Sequence, residues 1–156
     1  MVVAQEGAGL VMSNVSKMAV NPDAANADPH FVAPNLVRID ASGSAHLIGG
    51  RCKNCGAFSF PSAMVCTSCL FEDIEAVDLG DEGTLYSYSV VHQAPKGWTT
   101  PYALGYVDLP NGVRVLAHID VPLNSIAINM PMKLGVGVVG TDPTGASLMS
   151  YTFIRR

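Results

Sequence analysis

Charge is what this chain has least of. Asp, Glu, Lys and Arg together make up 14% of its 156 residues, against roughly 25% in ordinary globular chains. Nine cations face thirteen anions, for a formal net charge of −4. That leaves no basic surface of the kind a phosphate-tracking nucleic-acid binder needs. Aromatic side chains are also few, at 7% with a single Trp. No apolar run in the sequence approaches the roughly 18 residues a spanning helix requires. The start, Met1-Val2-Val3-Ala4-Gln5-Glu6, has no cationic stretch ahead of an apolar one, as a secretory leader would. A cytoplasmic protein with no membrane and no nucleic acid among its partners is expected. Also missing are a G-x-S-x-G elbow, an H-E-x-x-H pair and a phosphate-binding loop. The four histidines, His30, His46, His92 and His118, share no spacing and have no obvious Ser or Cys partner. Structural roles are assigned to them, and no catalytic residue is expected. Apolar residues, by contrast, reach 49%. This excludes a disordered acidic chain and, with so little charge, points to surface buried against a partner.

Residues 1–45 carry the weakest pattern and are read as an N-terminal arm, loop or short helix. Val11, Val15, Met18 and Ala19 share a face at helical spacing, and Asn21-Pro22 would end that helix. Residues 22–35 are rich in Pro, Asn, Ala and Asp and read as loop. Such an arm is either a mobile tail or a segment that folds onto a partner subunit.

All four cysteines fall in one stretch, as Cys52-Lys53-Asn54-Cys55, ten residues, then Cys66-Thr67-Ser68-Cys69. A C-x2-C turn sets two thiolates on one side of a tight knuckle with backbone amides turned toward sulfur. Gly56 supplies the positive φ such a turn asks for. Two facing knuckles make a tetrahedral four-sulfur site suited to zinc or iron, and a cytosolic chain disfavours the disulfide alternative. Cys52, Cys55, Cys66 and Cys69 are therefore the expected metal ligands, for one structural zinc ion. A rubredoxin-like iron electron carrier is the alternative. Arg51 and Lys53 flank the site and would offset part of its negative charge. With every cysteine so engaged, none remains as a nucleophile. Ala57-Phe58-Ser59-Phe60-Pro61 alternates like a strand, and residues 46–77 read as a zinc ribbon.

Residues 78–156 read as strands and turns. Strands are expected over Thr84–His92, Tyr102–Leu109, Val113–Val121, Met132–Val139 and Leu148–Ile154. Pro110-Asn111-Gly112 marks a hairpin, and Asp142-Pro143-Thr144-Gly145 a second turn. In the third strand Val113, Val115, Ala117, Ile119 and Val121 alternate with Arg114, Leu116, His118 and Asp120. Five such strands with no long helix predict a mostly β chain: a rubredoxin-like zinc ribbon followed by a five-stranded OB-type barrel. Gly135-Val136-Gly137-Val138-Val139-Gly140 matches the dinucleotide fingerprint literally. Thr141-Asp142-Pro143 cannot open the helix that fingerprint needs, so the glycines are read as letting a barrel strand coil. Asp78, Asp81 and Glu82 read as a solvated linker. Lys96 and Trp98 lie in a loop where OB barrels meet ligands. Lys96 would meet a phosphate, and Trp98 would stack on a base, pack on a partner or simply cap the barrel end.

The motifs taken together resemble a known family. They are His46 to Gly56, Phe60-Pro61, Cys66 to Cys69, Gly83 to His92, Pro101 to Leu109 and Gly112 to Val115, spread over about residues 46–140. This set is similar to the zinc-ribbon/OB-fold proteins associated with thiolases and other acyl-CoA enzymes. The resemblance implies a non-catalytic accessory subunit in a hetero-oligomer. The thiolase-like catalytic subunit would supply the nucleophilic cysteine for thiolytic C–C cleavage, and acyl-CoA would be a shared ligand. Within the family, the small subunit of an aromatic-acyl-succinyl-CoA thiolase of anaerobic aromatic degradation fits best. Zinc ligation carries over to Cys52, Cys55, Cys66 and Cys69. Two departures stand out: Thr67 replaces the usual proline, and no aromatic-rich helix precedes the ribbon. Rival readings are a stand-alone enzyme and an OB-fold module for nucleic acid.

Overall fold

The computed structural model describes residues 30–156. The helix expected over Val11–Ala19 lies outside them. The described residues form ten β-strands and two short 3-10 turns, Pro34–Leu36 and Leu123–Ser125. Among them no helix is long and apolar enough to cross a membrane.

The ribbon is built on one strand. β2 (Val37–Ile39), β3 (Ala45–Cys52), β4 (Phe58–Ser59) and β5 (Ile74–Asp78) form a small sheet in which β3 pairs antiparallel with each of the others. The barrel follows as β6 (Glu82–Val91), β7 (Tyr102–Asp108), β8 (Arg114–Asp120), β9 (Pro131–Thr141) and β10 (Ser147–Arg155). β6, β7 and β8 run as an antiparallel meander, β10 joins β8 in parallel, and β9 pairs with both β10 and β6 to close the ring. That closure is the five-stranded Greek-key barrel of the OB type. The strand boundaries fall within two residues of those read from periodicity.

Alternation decides what each barrel strand buries. On and beside β8, Val113, Val115, Ala117, Ile119 and Val121 point inward, while Arg114, Leu116 and Asp120 face out. Phe153 of β10 fills the centre with no exposed surface, among Leu85, Val107, Val115 and Met132. Ala45 and Leu47 of β3 and Leu79 after β5 belong to that same core, so the ribbon's central strand is anchored in the barrel. Phe60 of the ribbon meets Tyr151 of β10 edge to face at 5.6 Å.

Two sequence expectations change here, and a third gains a further reason. His30–Phe31, within the stretch read as loop, form β1, which adds in parallel to β10. Asp78 and Glu82 are not linker: they end β5 and begin β6, and both are ion-paired, Asp78 with Arg38 and Glu82 with Arg156. The glycine motif lies inside β9, as coiling requires, but Gly140 has a sharper reason to lack a side chain. A Cβ there would sit 2.6 Å from the Gly97 carbonyl oxygen. The 93–101 loop crosses β9 at that point, with the Thr141 amide donating to the Gly97 carbonyl at 2.7 Å.

Candidate metal centre

Each C-x2-C knuckle folds through the same backbone bonds. In the first, Cys52 donates its amide to the Ala57 carbonyl and Gly56 donates back to Cys52, both at 2.9 Å. In the second, Cys66 donates to Phe71 at 2.8 Å and Leu70 to Cys66 at 2.9 Å. Gly56 and Leu70 both take positive φ, +75° and +60°.

The knuckles bring the four sulfurs within 4.8 Å of one another. Cys52 and Cys69 are 3.6 Å apart, as are Cys55 and Cys66. That is far beyond the about 2.05 Å of a disulfide. It is close to the spacing of about 3.8 Å that Zn–S bonds of about 2.3 Å impose on a tetrahedron. Cys52 and Cys66 are buried, Cys69 is half-buried and Cys55 is exposed. The Ser68 amide reaches the Cys66 sulfur at 3.4 Å, and the Asn54 side-chain amide reaches Cys69 at 3.6 Å. The amides of Ser68 and Cys69 hold the Cys66 thiol down to about 6, and the Asn54 amide lowers Cys69. Cys55 differs: its bond with the Ala57 backbone lowers it, but the sulfurs of Cys69 and Cys66 outweigh that and push it up to about 12. Four sulfurs this close do not all ionise unless a cation sits among them. The donor set fits zinc, and a tetrahedron filled by four sulfurs leaves no open position for substrate or water.

Arg51 and Lys53 do not neutralise the cluster as expected. Arg51 pairs with Glu75 at 3.6 Å, and Lys53 with Asp73 at 2.9 Å.

The loop residues Lys96 and Trp98 lie apart from the cysteines, between β6 and β7. Trp98 is half-buried, and its ring stacks on His118 with centroids 5.6 Å apart and planes 11° apart. His118 in turn stacks on Tyr102 at 4.6 Å. Burial pushes the His118 imidazole below its usual range, which favours the neutral ring in this stack. Lys96 is exposed, and among the described residues only it and Arg155 are cations without a carboxylate within 4.0 Å.

Sequence reasoning missed the polar cluster around His46. Its Nδ1 lies 2.7 Å from Asp78 Oδ2 and its Nε2 3.2 Å from Asp40 Oδ2, while Arg38 reaches Asp78 at 3.5 Å. The hydrogen bond to Asp40, joined by Asp78, holds the imidazole above its usual range. Asp78 stands 32 residues away in sequence. Only the cross-strand register, with Arg38 opposite His46 on β2 and Asp78 opposite Ile48 on β5, assembles the group.

Known proteins share the order of a zinc ribbon followed by an OB barrel. The profile of the ChsH2 rubredoxin-like zinc ribbon domain matches residues 44–75, and that of the ChsH2 C-terminal OB-fold domain matches residues 76–137. The benzoylsuccinyl-CoA thiolase subunit BbsA of Thauera aromatica is 39% identical over 127 residues, 81% of this chain and 88% of that protein. The subunit of the same name from Geobacter metallireducens is 32% identical over 127 residues, 81% of this chain and 86% of its own. Among solved structures, the Ltp2-ChsH2(DUF35) aldolase superposes with a TM-score of 0.59 at 28% identity, covering 70% of this chain and 84% of that one.

Proposed function

The chain belongs to the ChsH2 family, in which a rubredoxin-like zinc ribbon precedes an OB-fold domain, and on that premise we propose that it is a non-catalytic, zinc-binding subunit of a thiolase-type enzyme acting on acyl-CoA. The observation that carries this reading is the extent of the likeness to a thiolase subunit, which runs over 88% of that subunit's length. Cys52, Cys55, Cys66 and Cys69 hold the zinc ion. When bound, zinc supplies a cross-link between the two knuckles and no reactive position. The histidines fit a supporting role: His46 is engaged by carboxylates and His118 by aromatic rings. In this reading 46–77 are the ribbon and 78–156 the barrel, and the arm of residues 1–45 ends by giving β2 and the first residue of β3 to the ribbon sheet. The assembly is a cytoplasmic hetero-oligomer, and its reaction is thiolytic C–C cleavage of an aromatic-acyl-succinyl-CoA. Lys96, a cation beside the Trp98 stack with no carboxylate partner among the described residues, supports a phosphate-bearing acyl-CoA contact at that loop.

Purification of the tagged full chain from its source organism tests the proposal. A co-purifying thiolase-fold subunit, identified by mass spectrometry, is expected. The isolated chain should cleave no acyl-CoA, and the complex should do so when free CoA is supplied. Thiolysis by the isolated chain, or the absence of any such partner, overturns the reading. For the loop, acyl-CoA added to the complex should quench Trp98 emission, and Lys96→Ala should weaken that response. An unchanged emission removes Trp98 and Lys96 from the ligand contact.

A further inference from the structure

The two knuckles share one backbone and carry different surfaces. At the position after each second cysteine the first knuckle has Gly56 and the second has Leu70, both at positive φ. Glycine enters that region freely, whereas the Cβ of a leucine is crowded there. The knuckle itself therefore has no use for leucine at 70. Nor does the core, since Leu70 is 77% exposed. The same knuckle carries Met64, 90% exposed, and the exposed Val65 and Phe71 on the segments that the Cys66–Phe71 and Leu70–Cys66 backbone bonds draw together. From Asn54 to Phe71 no Asp, Glu, Lys or Arg occurs. An apolar tip that lacks charge, with Met and an aromatic present, has the composition of an interface core.

We propose that Met64, Val65, Leu70 and Phe71 form the anchor by which this chain seats in an apolar, cation-rimmed pocket of the thiolase-type catalytic subunit. The proposal rests on the functional reading above and adds the surface that does the binding. Charge selects the occupant. Glu72, next to the tip, is exposed and has no cation within 4.0 Å among the described residues, and the nearby Lys53 and Arg51 are already held by Asp73 and Glu75. A second copy of this chain would bring the same unpaired carboxylate to a two-fold contact and offer no free cation from its ribbon to meet it. An anionic lipid surface would be repelled by that rim. A protein pocket carrying its own Lys or Arg satisfies both the apolar tip and the acid.

The test uses the full-length chain in its source organism, as wild type, as Leu70→Gly and as the double variant Met64→Ser/Leu70→Gly. Wild type should retain the thiolase-fold subunit. Leu70→Gly should lower the amount retained by about tenfold or more, as loss of a central anchor does, with zinc content and Tm nearly unchanged because the backbone strain is relieved. Should Leu70→Gly lose its zinc, Leu70→Asn repeats the test with a residue that accepts positive φ. If wild type retains the subunit and both variants retain it equally, the anchor is overturned and the functional reading stands. If wild type retains none, the functional reading itself fails and this proposal falls with it. Sedimentation supplies a further check: a wild-type self-association abolished by Leu70→Gly, with subunit retention unaffected, would assign the tip to a second copy and overturn the proposal.

Discussion

His46 meets a carboxylate at each ring nitrogen, and only the imidazolium has two N–H donors to give. Its raised folded pKa, set chiefly by the bond to Asp40, fixes the sign of its contribution. That contribution is complete below the ordinary histidine value of 6.5 and is lost as pH rises through the higher folded value. His118 runs the other way, because burial lowers it. Its contribution is present above 6.5 and is lost as pH falls through the lower folded value. In an NMR titration the two rings should therefore titrate on opposite sides of 6.5. Asp40→Asn should move His46 downward and leave His118 in place. Coincident midpoints would contradict both contacts. The cysteines act at the same scale. Cys52 is 1% exposed and ends β3, so Cys52→Ser removes a buried sulfur from a set of four. Zinc bound per chain should fall sharply from one, and the amide signals of residues 52–73 should lose dispersion. Full zinc retention would exclude Cys52 as a ligand.

Among the strands, β9 separates two kinds of glycine. A Cβ at Gly135 would meet the Thr152 hydroxyl at 3.5 Å, an ordinary contact, whereas one at Gly140 would meet the Gly97 carbonyl at 2.6 Å. Gly140→Ala should then destabilise the chain by about 1–3 kcal/mol, as overpacking does. It should also displace Trp98, whose loop is bridged to Gly140. Gly135→Ala should cost well under that. Denaturant midpoints, with Trp98 emission as the local signal, compare the two. Equal costs would mean that the loop crossing is not what demands Gly140. The barrel strands were legible because each has enough residues for alternation to show. β1 has two residues and β2 three, too few for a period to show, and they exist only because a neighbour offers them a pairing edge.

For the whole molecule the shared core matters most. Leu47 of the ribbon's central strand has no exposed surface, and it packs with Leu85, Val115 and Phe153 in one cluster. Ribbon and barrel should unfold together. Leu47→Ala should cost about 2–5 kcal/mol and lower the midpoint reported by Trp98 in the barrel. Chelation of zinc should lower that midpoint too. Two separate thermal transitions, or a Trp98 transition indifferent to chelation, would show that the two units are independent.

The spacing of two C-x2-C pairs and the period-2 runs of residues 82–155 determined the candidate metal ligands, the strands and the barrel class. Those signals are local, because a knuckle or a strand is specified by residues within a few positions of one another. What sat far apart in the chain was decided only by folding. Asp78 reached His46, Trp98 found His118, and Leu47 entered the barrel core. The charges of Arg51 and Lys53 went to neighbouring carboxylates rather than to the sulfurs. In each case the partner was chosen by strand register and loop crossing, which depend on the packing of the whole chain and leave no periodic trace in sequence.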